Sequence, residues 1–250
     1  MIDYILLFVA AFGAGIVNTI AGGGTFLTFP ALVFTGLPPV VANATSTVAV
    51  FPGYLGGALG FREDMATFER RALLRLAGIT LAGGLVGSLL LLVSSNEAFS
   101  AVVPFLLLFA TLVFLFGAEI RSWAARHARD VTPEGAVGLF AVSVYGGYFN
   151  GGLGIVLLAL FSLWGMTSIH SMNGLKTGLS FVLSSISVLT FSVAGIVEWP
   201  QAIVMMVAAS VGGYAGAPIA RAVPAWCVRA FVAVIGFGMS AVFFWRLVAG

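Results

Sequence analysis

Charge is what this chain lacks. Only 8% of its 250 residues are Asp, Glu, Lys or Arg, against 60% hydrophobic residues and a mean hydropathy of +1.12. A soluble domain carries about 25% charged residues. This chain cannot coat itself with polar surface, so a water-soluble fold is excluded and an integral membrane protein is implied. Cysteine is nearly absent. The lone Cys227 can form neither an intramolecular disulfide nor a multi-thiolate metal site, and it reads as a small apolar helix residue. There is no His-Glu-x-x-His, no Gly-x-Ser-x-Gly and no Walker lysine loop. No catalytic residue, metal or cofactor is therefore expected. No basic patch with interleaved aromatics exists, so nucleic acid is not a partner. The N-terminus has Asp3 where a signal peptide would be basic, and its apolar run reads as a retained first helix.

What is present is apolar length. Windows of about 20 residues, enough to span a bilayer, fall at 4–21, 40–61, 73–93, 98–119, 135–152, 171–196, 201–220 and 226–248. The fold class is all-α and polytopic, with about eight spanning helices. Two shorter apolar pieces, 24–36 and 153–166, suit broken or re-entrant segments; if they cross, the count is ten. Each piece follows a polar, glycine-rich break. The first is Asn18-Thr19-Ile20-Ala21-Gly22-Gly23-Gly24-Thr25, and the second is Asn150-Gly151-Gly152-Leu153-Gly154. Unwound backbone at membrane depth is tolerated only where protein buries it or it lines a cavity. A pair of such breaks at corresponding places points to a transporter's binding site.

The breaks belong to a wider repeat. Asn43-Ala44-Thr45-Ser46-Thr47 is matched by Asn173-Gly174-Leu175-Lys176-Thr177, and Gly83-Gly84 with Gly87 by Gly212-Gly213 with Gly216, all at offsets near 129–132. The chain divides into a first repeat at 1–120, a charged connector at 121–134 and a second repeat at 135–250. The paired glycines are small-xxx-small contacts whose role is structural. Charges gather at 62–75 and 119–134. Arginine placement makes the 62–75 and 121–134 loops cytoplasmic. The inverted, ten-span count puts nine arginines on one side, with Arg246 opposite. Residues 62–75 fit an interfacial helix as well as a solvated loop. His127 lies in the second charged loop and is expected to be solvated, and His170 opens an apolar segment.

Polar groups inside apolar segments carry the chemistry. Asn173, Lys176, Ser180, Ser184 and Ser187 recur at helical spacing and share one face. Lys176 is the only lysine, and a lysine in a membrane segment is a functional candidate; snorkelling to the interface is the alternative. At each break, freed N–H groups and the positive end of a half-helix make an anion site without a charged side chain. Asn18, Thr19 and Asn150 need partners there. No acidic residue falls inside a span: Asp3, Glu97 and Glu198 are near ends, and Glu119 edges a loop.

The run Gly13-Ala14-Gly15-Ile16-Val17-Asn18-Thr19-Ile20-Ala21-Gly22-Gly23-Gly24, with Phe29-Pro30-Ala31-Leu32, Gly36-Leu37-Pro38-Pro39 and Ala42-Asn43-Ala44-Thr45-Ser46, resembles the TauE/SafE sulfite exporter family. The second-half run from Gly146 to Gly154 and Asn173 to Thr177 fits the same pattern. The resemblance implies an inner-membrane permease for sulfur-containing anions such as sulfite or organosulfonates. The family's motifs map to Asn18, Gly22, Gly23, Gly24, Asn43, Thr45, Ser46, Asn150, Gly151, Gly152, Asn173, Lys176 and Thr177. With Thr19 and Ser180, these are the expected substrate-binding residues. The expected function is a secondary transporter exporting such an anion by alternating access. A passive anion channel and a membrane-embedded enzyme or assembly factor are the alternatives. The partners are the bilayer and a small anion; a homodimer and a coupling ion are left open.

Overall fold

The computed structural model describes residues 2–20, 23–60, 65, 66, 68–127, 135–222 and 225–249. Gly22, Arg62, Arg129, the Thr19 side chain and parts of the 62–75 and 121–134 loops lie outside the described residues. Among the described residues there are eleven helices and no strand. They are α1 (Ile2–Ile20), α2 (Thr25–Phe34), α3 (Pro39–Gly60), α4 (Arg70–Val93), α5 (Asn96–Leu115), α6 (Gly117–Arg126), α7 (Ala136–Tyr148), α8 (Leu153–Leu163), α9 (Ile169–Val193), α10 (Trp199–Ala222) and α11 (Ala225–Ala249). Among the described residues, α4, α5, α9 and Ala230–Leu247 of α11 are long and apolar enough to cross a membrane. Val93, Val137, Val193, Val234 and Trp245 stand largely exposed on the helices. Such outward apolar faces belong to a multi-pass membrane protein.

Three expectations change. The window 135–152 is not one span: α7 stops at Tyr148, because Asn150 and Gly152 take left-handed φ values of 62° and 69°. The window 98–119 breaks at Phe116, and its charged end enters the separate helix α6. Arg70, Arg71 and Arg75 belong to the long helix α4, not to an interfacial helix.

The short helices α2 and α8 are apolar nearly all round and buried on most faces, as a helix without a polar face must be. Both end alike. Gly36, at φ 91°, donates its N–H to Val33 O and Leu37 to Leu32 O; Gly165, at φ 81°, donates to Ser162 O and Met166 to Phe161 O. These are left-handed glycine caps that turn the chain back sharply. After the first, Pro39 opens α3, a position where a missing N–H costs nothing.

Residue contacts fix the helix directions. Gly24 meets Asn18 and Ala14, and Leu27 meets Gly13, so α2 runs back along α1. Thr28 bonds Ser46, so α3 reverses again. In the same way Gly138 meets Leu160 and Gly146 meets Leu153 across α7 and α8, while Gly154 meets Lys176 across α8 and α9. Helices α3 and α9 run antiparallel: Phe51 stacks on Phe181 at 5.3 Å, and Thr45 reaches Glu198 just beyond the end of α9. Helices α5 and α11 are also antiparallel, with Pro104 against Ser240 and Thr111 against Gly236. Both breaks pack on the last turns of α5, Gly23 against Phe114 and Gly152 against Ala110.

Two contacts are backbone on backbone. Helix α1 packs on α10, where a Cβ on Gly15 or Gly212 would collide with Ala209 O or Phe12 O. Helix α4 packs on α7, where a Cβ on Gly87 or Gly147 would collide with Val144 O or Gly84 O. Small residues allow helix backbones to approach this closely.

Candidate functional site

The second break, Phe149–Gly152, is a buried place with several unpartnered polar atoms. Asn150 is the one described non-glycine residue with positive φ. That conformation costs most L-residues about 1–2 kcal/mol but suits asparagine. Gly152 then caps α8 from the left-handed region, and Leu153 donates to Asn150 O at 3.4 Å. The Tyr145 hydroxyl donates to Gly151 O. From α3, Asn43 donates through Nδ2 to Tyr148 O at 2.8 Å. Asn43 and Asn150 are 1% and 2% exposed. Yet Asn43 Oδ1 and both amide atoms of Asn150 have no partner. The Tyr54 hydroxyl faces the Asn150 amide without forming a well-shaped hydrogen bond. Among the described residues, neither Gly151 nor Gly152 donates its backbone N–H. These groups surround the positive end of α8.

Lys176, on α9, lies beside the first turn of α8. Its stem lies against Gly154, with Cδ 3.2 Å from where a Cβ would stand, and Nζ donates to Asn173 Oδ1 at 3.0 Å. Arg121 on α6 is the described charge that acts on it, and among the described residues no carboxylate meets it. A half-buried lysine beside a helix N-terminus is an arrangement for an anion.

The first break is built differently. Asn18 Oδ1 accepts the Gly24 N–H at 2.8 Å, so the asparagine fills the start of α2 itself. Thr28 bonds Ser46 at 2.6 Å and reaches Gly24 O at 3.4 Å. Gly24→Ala would set a Cβ 2.7 Å from Asn18 Nδ2. This variant is expected to lower the thermal unfolding midpoint in detergent by several degrees, from loss of a bond worth about 1 kcal/mol plus the clash.

Of the sequence-predicted residues, Asn43, Asn150, Gly151 and Gly152 gather at the second break, whereas the Lys176 stem lies beside the first turn of α8 and its ammonium is turned to Asn173, toward the α8–α9 turn. Asn18, Gly23 and Gly24 form the first. The two breaks meet one face of α5, Gly23 against Phe114 and Gly152 against Ala110. Phe149 also packs edge-on against Phe29 of α2 at 5.7 Å. Thr45 and Ser46 are held by internal bonds, Thr45 capping α10 through the Glu198 N–H at 3.1 Å. Thr177 bonds back to its own helix. Ser180 and Ser184 are buried along α9, and Ser187 pairs with Ser88 at 2.8 Å. His127 is exposed and stacks on Trp123, as its loop position implied. Sequence reasoning missed Tyr54 and Tyr145. Tyr54 lies three turns from Asn43 on one face of α3, a spacing the residues do offer.

A family model described as "Sulfite exporter TauE/SafE" matches residues 7–243. A "Probable membrane transporter protein" of Haemophilus influenzae is 28% identical, over 94% of this chain and 92% of that protein. "Probable membrane transporter protein ORF9" of a Sinorhizobium species is 27% identical, over 94% and 89%. "Probable membrane transporter protein YfcA" of Escherichia coli K12 is 25% identical, over 94% and 87%. No solved structure matches the chain significantly.

Proposed function

The chain belongs to the sulfite exporter TauE/SafE family, and from that premise we propose that it is a secondary transporter of a small sulfur-containing anion. The observation that carries this reading is the second break. There a buried helix N-terminus and an unpartnered amide come together, with the stem of the chain's only lysine beside the first turn of that helix. The anion binds to Asn150, to the Gly151 and Gly152 N–H groups and to Lys176. An inside-negative membrane drives a monovalent anion outward by about 2.3 kcal/mol per 100 mV, so export needs no coupling carboxylate.

Alternating access rests on topology. Because α2 and α8 reverse direction, residues 1–120 and 135–250 each make five passes, and the antiparallel pairs α3/α9 and α5/α11 support inverted halves. Each half lends its first helix to the fourth helix of the other, α1 to α10 and α7 to α4. Rocking of these exchanged pairs would open the breaks to either side. Phe26, Phe29, Phe114 and Phe149 are packed and buried around the breaks, which favours a carrier over an open channel. The end where α3 meets α4, α6 meets α7 and α10 meets α11 carries nine of the ten arginines, so it is cytoplasmic.

Two measurements test this. Flux into proteoliposomes should saturate with sulfite or a sulfonate; flux that rises linearly to high concentration would mean a channel. In a Cys227→Ser background, Tyr4→Cys should react with an impermeant maleimide from outside the cell. Trp123→Cys, 52% exposed on α6, should react only after permeabilisation. Labelling of both from one side would rule out inverted halves.

A further inference from the structure

Two breaks that look alike in sequence treat their asparagines in opposite ways. Asn18 spends its amide oxygen on the Gly24 N–H, inside the same break. Asn150 forms no well-shaped hydrogen bond: it is buried in a left-handed conformation, and the Tyr54 hydroxyl faces its amide without pairing with it. Leaving a buried polar atom unsatisfied costs about 1–3 kcal/mol. Such a residue is kept where something else completes it.

The chemistry of what completes it follows from Asn43. The Tyr148 carbonyl can only accept a hydrogen bond, so Asn43 must present Nδ2 to it. Flipping the amide would set two acceptors face to face. Asn43 Oδ1 is thereby fixed as a buried, unpartnered acceptor two residues along the break from Asn150. The second break therefore offers donors (Asn150 Nδ2 and the Gly151 and Gly152 N–H groups) together with at least one acceptor. A fully deprotonated oxyanion would satisfy the donors and leave Asn43 Oδ1 against negative oxygen. A site built around a hydroxyl or N–H group rejects analogues that lack it far more strongly than an apolar pocket rejects a missing methylene.

We propose that the second break binds an anion carrying its own hydrogen-bond donor, recognised by Asn43 Oδ1, while the first break is a structural latch that holds no ligand. This rests on the transport reading above. The donor could come from an oxyanion that keeps a proton, such as hydrogensulfite, or from a hydroxyl or amino group on a sulfonate.

The test is titration of the purified full chain in detergent, with binding and thermal unfolding read together. The probes are sulfite across the pH range in which it loses its last proton, sulfate, methanesulfonate, 2-hydroxyethanesulfonate and taurine. A donor-bearing anion should bind at least roughly fivefold tighter than sulfate and methanesulfonate, the low end of an unmet hydrogen bond. Sulfite affinity that falls as pH rises, with weak sulfonate binding, identifies a protonated oxyanion. Tight 2-hydroxyethanesulfonate or taurine at every pH identifies a substituent donor. Asn150→Gly keeps the left-handed backbone, so it should lose roughly tenfold in affinity with its unfolding midpoint held. Asn18→Ala should do the reverse, lowering the midpoint and keeping affinity. If donor-free anions bind equally well and Asn150→Gly weakens all of them alike, the donor requirement is wrong and the anion site stands. If Asn150→Gly changes no affinity, the site is elsewhere. If no anion binds and none moves in liposomes, the transport reading falls as well.

Discussion

Lys176→Ala is expected to reduce anion flux by at least roughly tenfold, and Arg121→Ala to leave it within about threefold. The two cations act on one another, but they differ in what surrounds them. Lys176 lies along Gly154 and points its ammonium toward Asn173. Its stem is half-buried beside the first turn of α8, one turn from the break. A hydrogen bond to a charged group contributes about 1.5–3 kcal/mol, or about ten- to a hundredfold in affinity. Arg121 projects from the short surface helix α6, where screening by water and salt reduces its influence. Lys176→Arg should recover part of the flux, because the charge returns while the larger head no longer fits beside Gly154. Flux in proteoliposomes at several substrate concentrations separates the cases: loss of affinity raises the half-saturating concentration, whereas a snorkelling lysine would give equal, mild effects for both alanine variants.

The second large effect is on folding. Gly147→Val and Gly212→Val are expected to yield no folded protein. At each position a new Cβ would meet a neighbouring helix's carbonyl, Gly84 O or Phe12 O. No rotamer change relieves a collision with backbone; the helices must separate, and the contacts along the pair go with them. Overpacking usually costs about 1–3 kcal/mol, and values above about 4 are reached when a special site is broken. Gly53 makes the control, since a Cβ there meets nothing. Gly53→Ala should hold or raise stability by up to about 1 kcal/mol, because glycine is a poor residue in a helix interior. Size-exclusion profiles and thermal unfolding in detergent would check all three. A monodisperse, stable Gly147→Val protein would show that the α4–α7 contact is not required.

Much of the fold was readable because the signals were compositional. The long apolar windows became helices, and the two short pieces after the glycine breaks became α2 and α8. The glycines at 83, 87 and 212 announced close contacts, yet their partners lie far away in sequence and no spacing rule names them. The end of α7 at Tyr148 was hidden for another reason. An apolar window counts Phe149 as membrane and cannot see that Asn150 takes a positive φ. The same blindness affects the candidate site. Asn18 and Asn150 head the same motif, but one side chain reaches its own break and the other forms no well-shaped hydrogen bond. That difference lies in backbone geometry and in Asn43 arriving from another helix. Thr45 and Ser46 look like pathway hydroxyls in sequence, whereas in the fold they hold α10 and α2. Lys176 stood out in the sequence because it is the only lysine in so apolar a chain.

The pairing of α1 with α10 sets a schedule for making the molecule. Gly15 meets Gly212, so its partner surface is synthesised roughly 200 residues later. At about 5–20 residues per second, α1 waits roughly 10–40 s in the bilayer before the helix that covers its glycine face is made. The α4–α7 contact closes after only about 60 residues. Of the two exchanged pairs, α4 with α7 therefore closes well before α10 captures the first helix. During that interval the narrow face around Gly15 is open to any other membrane helix with a matching groove, which makes the nascent chain, more than the finished one, the form exposed to wrong partners.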